Sequence, residues 1–131
     1  DNLAKDFLSK IEKVERATVV ALSGELGSGK TAFVKCVAKN LGITEDITSP
    51  TFVIMKNYGL STKNYKLLIH IDAYRLNSYK ELENLRWQEI YNDPNNLIFL
   101  EWPERVLELI PNDAKKINFE FIDETTRKIS F

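Results

Sequence analysis

Apolar residues recur along this chain with two different periods, and those periods divide it into elements. Leu3, Phe7, Leu8, Ile11 and Val14 fall on one face of a helix over residues 3–15. Thr18-Val19-Val20-Ala21-Leu22 is a short apolar, β-branched run and reads as a buried strand. Phe33, Val34, Val37, Ala38 and Leu41 return to helical spacing, and Gly42 stands where a helix C-terminal glycine belongs. A loop over 43–50 closes on Ser49-Pro50. Phe52 to Met55 is the next strand, and Gly59 to Asn64 is turn-like. In Lys66-Leu67-Leu68-Ile69-His70-Ile71-Asp72 successive side chains alternate, which puts His70 and Asp72 on one face of a strand. Leu82, Leu85 and Ile90 indicate a weaker helix over 78–91, followed by a turn at Asp93-Pro94-Asn95-Asn96. Leu97-Ile98-Phe99-Leu100 is a buried strand ending in Glu101, and Pro103 opens a short helix through Ile110. Ile117, Phe119 and Phe121 are answered by Ile129 and Phe131 across Asp123-Glu124-Thr125, the pattern of an antiparallel hairpin. Trp87 and the phenylalanines are assigned to the core and Cys36 to packing. The order of elements predicts a three-layer α/β fold over residues 1–131, a single domain whose mixed sheet ends in that hairpin.

Composition narrows the class. A chain of 131 residues fits one domain and buries about two-thirds of its unfolded surface. With 44% hydrophobic and 28% charged residues it is neither disordered nor fibrous. A formal net charge of −1 gives no general attraction to nucleic acid or anionic membrane. Affinity for a phosphate backbone comes largely from Lys and Arg, so direct contact with RNA is expected to be weak for the chain alone. A single cysteine excludes an intrachain disulfide and suits a reducing compartment. No apolar run approaches the roughly 20 residues of a membrane span, and Asp1-Asn2-Leu3-Ala4-Lys5-Asp6 lacks the features of a signal peptide. The expectation is a cytoplasmic protein.

The chemistry begins where the first predicted strand ends. Gly24, Gly29, Lys30 and Thr31 satisfy G-x-x-x-x-G-K-[ST] in full. Typical residue frequencies give a chance match in roughly half a per cent of chains this long. The strand before the loop and the amphipathic helix after it are the setting that the motif requires. Main-chain N–H groups can turn inward around a polyphosphate only in conformations that favour glycine, and the following helix adds its positive end. Residues Gly24, Glu25, Leu26, Gly27, Ser28, Gly29, Lys30, Thr31 and Ala32 are therefore the candidate nucleotide-binding stretch. Lys30 would set a point charge on the β- and γ-phosphates and Thr31 would offer its hydroxyl to Mg2+.

A P-loop also needs a carboxylate near Mg2+, usually at the end of a buried strand. Asp72 and Glu101 both have that form, and ligands gather at the carboxyl ends of strands in open α/β sheets. Either acid could instead cap a neighbouring element or pair with Arg75 or Arg105. Those arginines could contact phosphate or make surface salt bridges. His70, the one histidine, is either a structural residue or a base beside Asp72. Trp102, adjacent to Glu101, is expected close to the nucleotide.

Taken together, four stretches resemble the TsaE (YjeE) family of small bacterial P-loop ATPases. They are Gly24 to Thr31, Thr48-Ser49-Pro50-Thr51-Phe52, His70-Ile71-Asp72-Ala73-Tyr74-Arg75-Leu76 and Glu101-Trp102-Pro103-Glu104-Arg105. The P-loop is shared by many families, whereas the other three in this order are far more specific. The resemblance covers about Val19 to Leu109 and implies a role in installing threonylcarbamoyladenosine on tRNA. It implies ATP and Mg2+ as cofactors, and TsaB and TsaD as partners. It makes Lys30, Asp72 and Glu101 the catalytic set and Thr31, Asp72 and Glu101 the metal set. Glu101 would hold the metal directly or through water, and Asp72 would order the attacking water or complete the metal shell. Thr51 would sense the γ-phosphate in a switch-like loop, with Trp102 and Arg105 beside the nucleotide. Position 25 is Glu where the family usually has Asp, position 28 is Ser where Ala is common, and Arg86 stands where a glycine is frequent, which bears on the helix end there.

The function implied is an accessory ATPase that uses hydrolysis as a conformational timer on its partners, slow alone because no dedicated catalytic arginine is evident. Two alternatives remain at this level. A small-molecule kinase would use Asp72 and Arg75 near an acceptor hydroxyl, but the chain has little room for an acceptor pocket and a lid. A non-hydrolysing interaction module would leave the two strand-end acids without work.

Overall fold

The structure is a computed structural model that describes residues 2–25, 28–47, 53–123 and 126–131. Six strands make one sheet in the order β2-β3-β4-β1-β5-β6. Strands β1 (Thr18–Gly24), β3 (Leu67–Asp72), β4 (Asn96–Glu101) and β5 (Lys115–Asp123) run parallel as its central four. The outer strands β2 (Met55–Gly59) and β6 (Thr126–Ser130) are antiparallel to their neighbours. Because side chains alternate across a strand, the parallel strands are apolar on both faces, and each face carries its own core.

Val20, Leu22, Leu68, Leu97, Phe99, Ile117 and Phe119 face α1 (Asn2–Lys10) and α2 (Lys30–Asn40). Phe33 of α2 is central there, meeting Phe7, Phe99 and Phe119 with ring centroids 5.5, 6.4 and 5.6 Å away. Val19, Ile69, Ile71, Ile98 and Leu100 face the opposite layer, built on α3 (Tyr79–Glu83) and α4 (Trp87–Tyr91) with Leu82 and Trp87. This is the expected three-layer α/β arrangement, mixed sheet and terminal hairpin included. Helix α2 ends as its sequence predicts: Gly42 takes φ +88° and Ile43 donates its N–H to Ala38 O, closing the last turn.

Four expected boundaries are corrected. The first helix stops at Lys10 rather than running to 15, and Val14 is exposed. Beyond Ile11 the sheet offers that helix no more surface, and Lys13 ties the departing chain to Asn64 O and Pro94 O at 2.6 Å each. The strand expected at Phe52 to Met55 instead begins at Met55 and continues through the supposed turn residue Gly59; Phe52 lies outside the described residues. As an edge strand, β2 buries only Tyr58, so it lacks the apolar run that marks a central strand. The weak helix over 78–91 is two short helices, broken at Arg86, which takes φ +67° where a glycine would be unstrained. The helix expected from Pro103 through Ile110 is two 3-10 turns, Pro103–Arg105 and Leu107–Leu109, with Val106 buried between them.

Candidate functional site

The strand register places the two candidate acids. Glu101 lies opposite both Asp72 and Leu22, so β3 and β4 reach their carboxyl ends on one rung, while β1 runs on from Leu22 to Gly24. Neighbouring strands lie about 4.8 Å apart, and in-register residues point to the same face. Both carboxylates therefore emerge side by side on the face covered by α2, and both are buried.

The loop that starts at Gly24 brings α2 to the same point. A side chain at Gly24 would collide with Phe119 O, and its φ of +145° is one that L residues rarely adopt. Only glycine lets the chain leave β1 this close to β5. Gly29 takes φ +105° and begins α2. Lys30 and Thr31 then occupy the first turn. The Thr31 hydroxyl donates to Glu101 Oε2 at 3.0 Å, and His70 Nε2 lies 2.6 Å from the same oxygen. Asp72 Oδ1 accepts the N–H of Tyr74 at 2.9 Å.

Lys30 is buried, and its ammonium donates to Gly24 O at 2.6 Å. It also lies 3.8 Å from the centroid of the Trp102 ring, within cation–π range. Burial lowers the Lys30 pKa below the usual lysine value, while Glu101, Asp72 and Glu104 oppose that shift. Trp102 gets there by a local device. Its N–H still follows the sheet, donating to Leu22 O at 3.3 Å, after which φ +60° turns the chain away. Tyr74 packs against the indole with centroids 4.9 Å apart, and the Arg105 guanidinium lies 5.7 Å from the Tyr74 ring.

The structure thus brings Gly24, Gly29, Lys30, Thr31, Asp72, Glu101 and Trp102 together. Glu25 is exposed on the loop, and Ser28 is buried with its hydroxyl unpaired among the described residues. Ala32 lies on the outer side of α2, lining a small hollow with Leu3, Cys36 and Ile129. Arg105 stands at the rim, reached through Tyr74 and Trp102. Leu26, Gly27 and Thr51 lie outside the described residues. Two contributors had no role assigned from sequence: Tyr74, which buttresses Trp102, and Glu104, whose charge acts on Lys30. His70, left open between structure and base, is fully buried with Nε2 on Glu101. Its Nδ1 has no partner among the described residues, an arrangement that costs about 1–3 kcal/mol relative to a satisfied group.

The donor set suits Mg2+. Among the described residues no three His, Cys, Asp or Glu side chains form a metal cage. A hydroxyl and two carboxylates are instead the sparse, all-oxygen set used by an ion that keeps waters and takes further oxygens from substrate phosphates.

Fold and loop together define a P-loop NTPase fold: a glycine-rich turn leaving a central parallel strand, a helix beginning at its lysine, and an acid on the adjacent strand. The comparisons agree. The crystal structure of YdiB from Bacillus subtilis matches with a TM-score of 0.73 at 27% identity, covering 98% of this chain and 74% of that one. Residues 1–129 match the family model described as Threonylcarbamoyl adenosine biosynthesis protein TsaE, and the chain belongs to that family. The tRNA threonylcarbamoyladenosine biosynthesis protein TsaE of Borreliella burgdorferi is 43% identical over 95 residues, 72% of this chain and 66% of that protein. Its counterpart from Treponema pallidum is 38% identical over 119 residues, 89% of this chain and 83% of that protein. The matches span just under two-thirds of the Borreliella protein and 63% of the Rickettsia felis TsaE. Among the described residues no helix is long and apolar enough to cross a membrane.

Proposed function

We propose that this chain binds ATP with Mg2+ in the loop from Gly24 to Thr31 and hydrolyses it. In this reading it serves tRNA threonylcarbamoyladenosine formation in the cytoplasm as an accessory ATPase of the TsaB and TsaD proteins. The observation that carries the reading is the convergence of Lys30, Thr31, Glu101 and Asp72 at one end of the sheet. Phosphoryl transfer is chiefly positioning and charge stabilisation, and these four groups supply both.

The roles follow from the contacts. The main-chain N–H groups entering α2 and the Lys30 ammonium hold the β- and γ-phosphates. Lys30 must first leave Gly24 O and the face of Trp102, and it carries its charge to the phosphates in a buried setting where that charge acts strongly. Thr31 and Glu101 would hold Mg2+, which would supply positive charge to the phosphate oxygens. Asp72 orders the attacking water. Trp102 and Tyr74 shield the cradle from solvent, and Arg105 borders the nucleotide. Family membership supports the tRNA pathway, and hydrolysis as a timer on TsaB and TsaD accounts for an ATPase in it.

The test is steady-state ATP hydrolysis by the isolated chain and after addition of TsaB and TsaD. Slow Mg2+-dependent release of inorganic phosphate, faster with the partners, is expected. Lys30→Ala should lose about 100-fold or more of the rate. Phosphate appearing on a small metabolite instead of in solution would replace hydrolysis by a kinase activity. Indifference to both partners would refute the timer.

A further inference from the structure

His70 is the least expected residue in the apolar layer under α2. It sits on β3 opposite Phe99, one turn of the pleat behind Asp72, and Leu68 precedes it on the same face. It is wholly buried. A leucine or phenylalanine would fill that volume without leaving a polar atom unpaired, so packing alone does not account for an imidazole. What the imidazole adds is a single directed contact, from Nε2 diagonally across the β3–β4 pair to Glu101 Oε2 at 2.6 Å.

The same oxygen serves a second neighbour. Glu101 Oε2 already accepts from Thr31 Oγ1 at 3.0 Å. With the hydrogen on Nε2, both neighbours donate to one carboxylate oxygen and Nδ1 is a bare lone pair.

We infer that His70 is a positioning residue that sets the metal end of the loop: its Nε2–H fixes Glu101 Oε2, which takes the Thr31 hydroxyl hydrogen and leaves the Thr31 lone pairs for a divalent cation. The inference deepens the ATPase reading above and rests on it. Glu101 has a long side chain at a strand end, and two donors on one oxygen remove the freedom that would let it swing toward the Lys30 ammonium. Without His70 the carboxylate retains, among the described residues, only the hydrogen bond from Thr31, a residue in the turn that must also meet the nucleotide. Partners of this kind, one shell out from a metal ligand, typically govern about 10–100-fold in metal affinity or activity.

Two measurements test it. The chain has one histidine, so long-range 1H–15N spectra of a tag-free, 15N-histidine-labelled protein without nucleotide report its tautomer directly. Hydrogen on Nε2 with Nδ1 bare is expected, and the reverse overturns the inference whether or not the protein hydrolyses ATP. The second is the Mg2+ concentration for half-maximal ATP hydrolysis in His70→Phe, which keeps volume without a donor, and His70→Gln, which restores an N–H. His70→Phe should raise that concentration about 10–100-fold while nucleotide affinity in EDTA stays within about twofold, and His70→Gln should recover most of the loss. A His70→Phe protein with wild-type Mg2+ dependence, or a His70→Gln protein no better than it, refutes the positioning role alone. A wild-type chain that hydrolyses nothing at any Mg2+ concentration sinks the ATPase reading and this role with it. Should His70→Phe fail to fold, the tautomer and His70→Gln decide.

Discussion

Gly24 offers the sharpest test of how the loop leaves the sheet, because three glycines of this chain form a graded series. A Cβ at Gly24 would meet Phe119 O inside van der Waals contact, with Ser28 Oγ at 2.8 Å and Phe119 Cβ at 3.0 Å. Gly42 shares a positive φ, +88°, but has nothing within 4 Å of that Cβ. Gly59 is equally open and has no positive φ to strain. Alanine at 59 should be neutral or stabilise by roughly 0.4–1 kcal/mol, through the unfolded chain. Alanine at 42 should cost about 1–2 kcal/mol of backbone strain. Alanine at 24 adds an overpacking cost of about 1–3 kcal/mol to a similar strain, for a total of roughly 2–5 kcal/mol. Phe119 O cannot retreat cheaply, because Phe119 is the β5 partner of Gly24 itself and also pairs with Ile129 of β6. That total is a large share of a typical stability of about 5–15 kcal/mol. In a domain this size it corresponds to a Tm lowered by roughly 6–25 °C, taking each kcal/mol as about 3–5 °C. Urea unfolding followed by far-UV circular dichroism measures all three variants on one scale. The informative quantity is the difference between Gly24→Ala and Gly42→Ala. If it is zero or reversed, the close approach of the loop to β5 is not what restricts position 24.

Other consequences are open to measurement. Lys30→Met removes a buried charge and should stabilise the nucleotide-free protein by about 1 kcal/mol in urea unfolding, while abolishing Mg-ATP binding in calorimetry; a destabilised variant contradicts the burial argument. Phe33→Ala should cost about 3–5 kcal/mol, because Phe33 joins both helices to β4 and β5, and a loss under 1 kcal/mol would show that the ring is not central. Burial raises the Tyr65 pKa above 10.0, so the folded state holds that proton more tightly than the unfolded one. Its contribution is complete below pH 10 and is lost as pH rises through the folded value. Tyr65→Phe should therefore flatten the alkaline decline of Tm above pH 10, at a neutral-pH cost of about 1 kcal/mol for the 2.7 Å bond to Thr18. An unchanged alkaline slope would count against it.

The central strands and the hairpin were legible because burial on both faces, or on alternate residues, leaves an unambiguous apolar pattern. The same logic explains what was not legible. Strand β2 is half solvated and buries only Tyr58, so the apolar pattern broke off at Met55 and Lys56 to Tyr58 were assigned to no element. The break at Arg86 depends on a left-handed backbone that an arginine does not announce, though the family's frequent glycine at that position points to it. Between Pro103 and Ile110 only Val106 is fully buried, with Leu109 and Ile110 half-buried against the same core, too little for helical periodicity to show. At the site, alternation placed His70 and Asp72 on one face, but whether either met Glu101 was a matter of register between two strands, His70 and Glu101 lying 31 positions apart in sequence. Periodicity within a strand carries no information about that register. Tyr74 and Glu104 were invisible for a related reason: each acts through a neighbour, Trp102 in one case and Lys30 in the other, and not through a spacing of its own.

The resting state of Lys30 bears on which anions can enter. Its ammonium already holds a carbonyl oxygen and lies against an indole face, so a ligand gains only the surplus of its own attraction over those two contacts. A singly charged solute such as chloride or acetate has little surplus to offer. A chain of linked phosphates, able to engage several main-chain N–H groups at once, has a great deal. In the proposed nucleotide site the loop would thus sort visitors by charge and length before any nucleobase is inspected, with abundant small ions leaving it available.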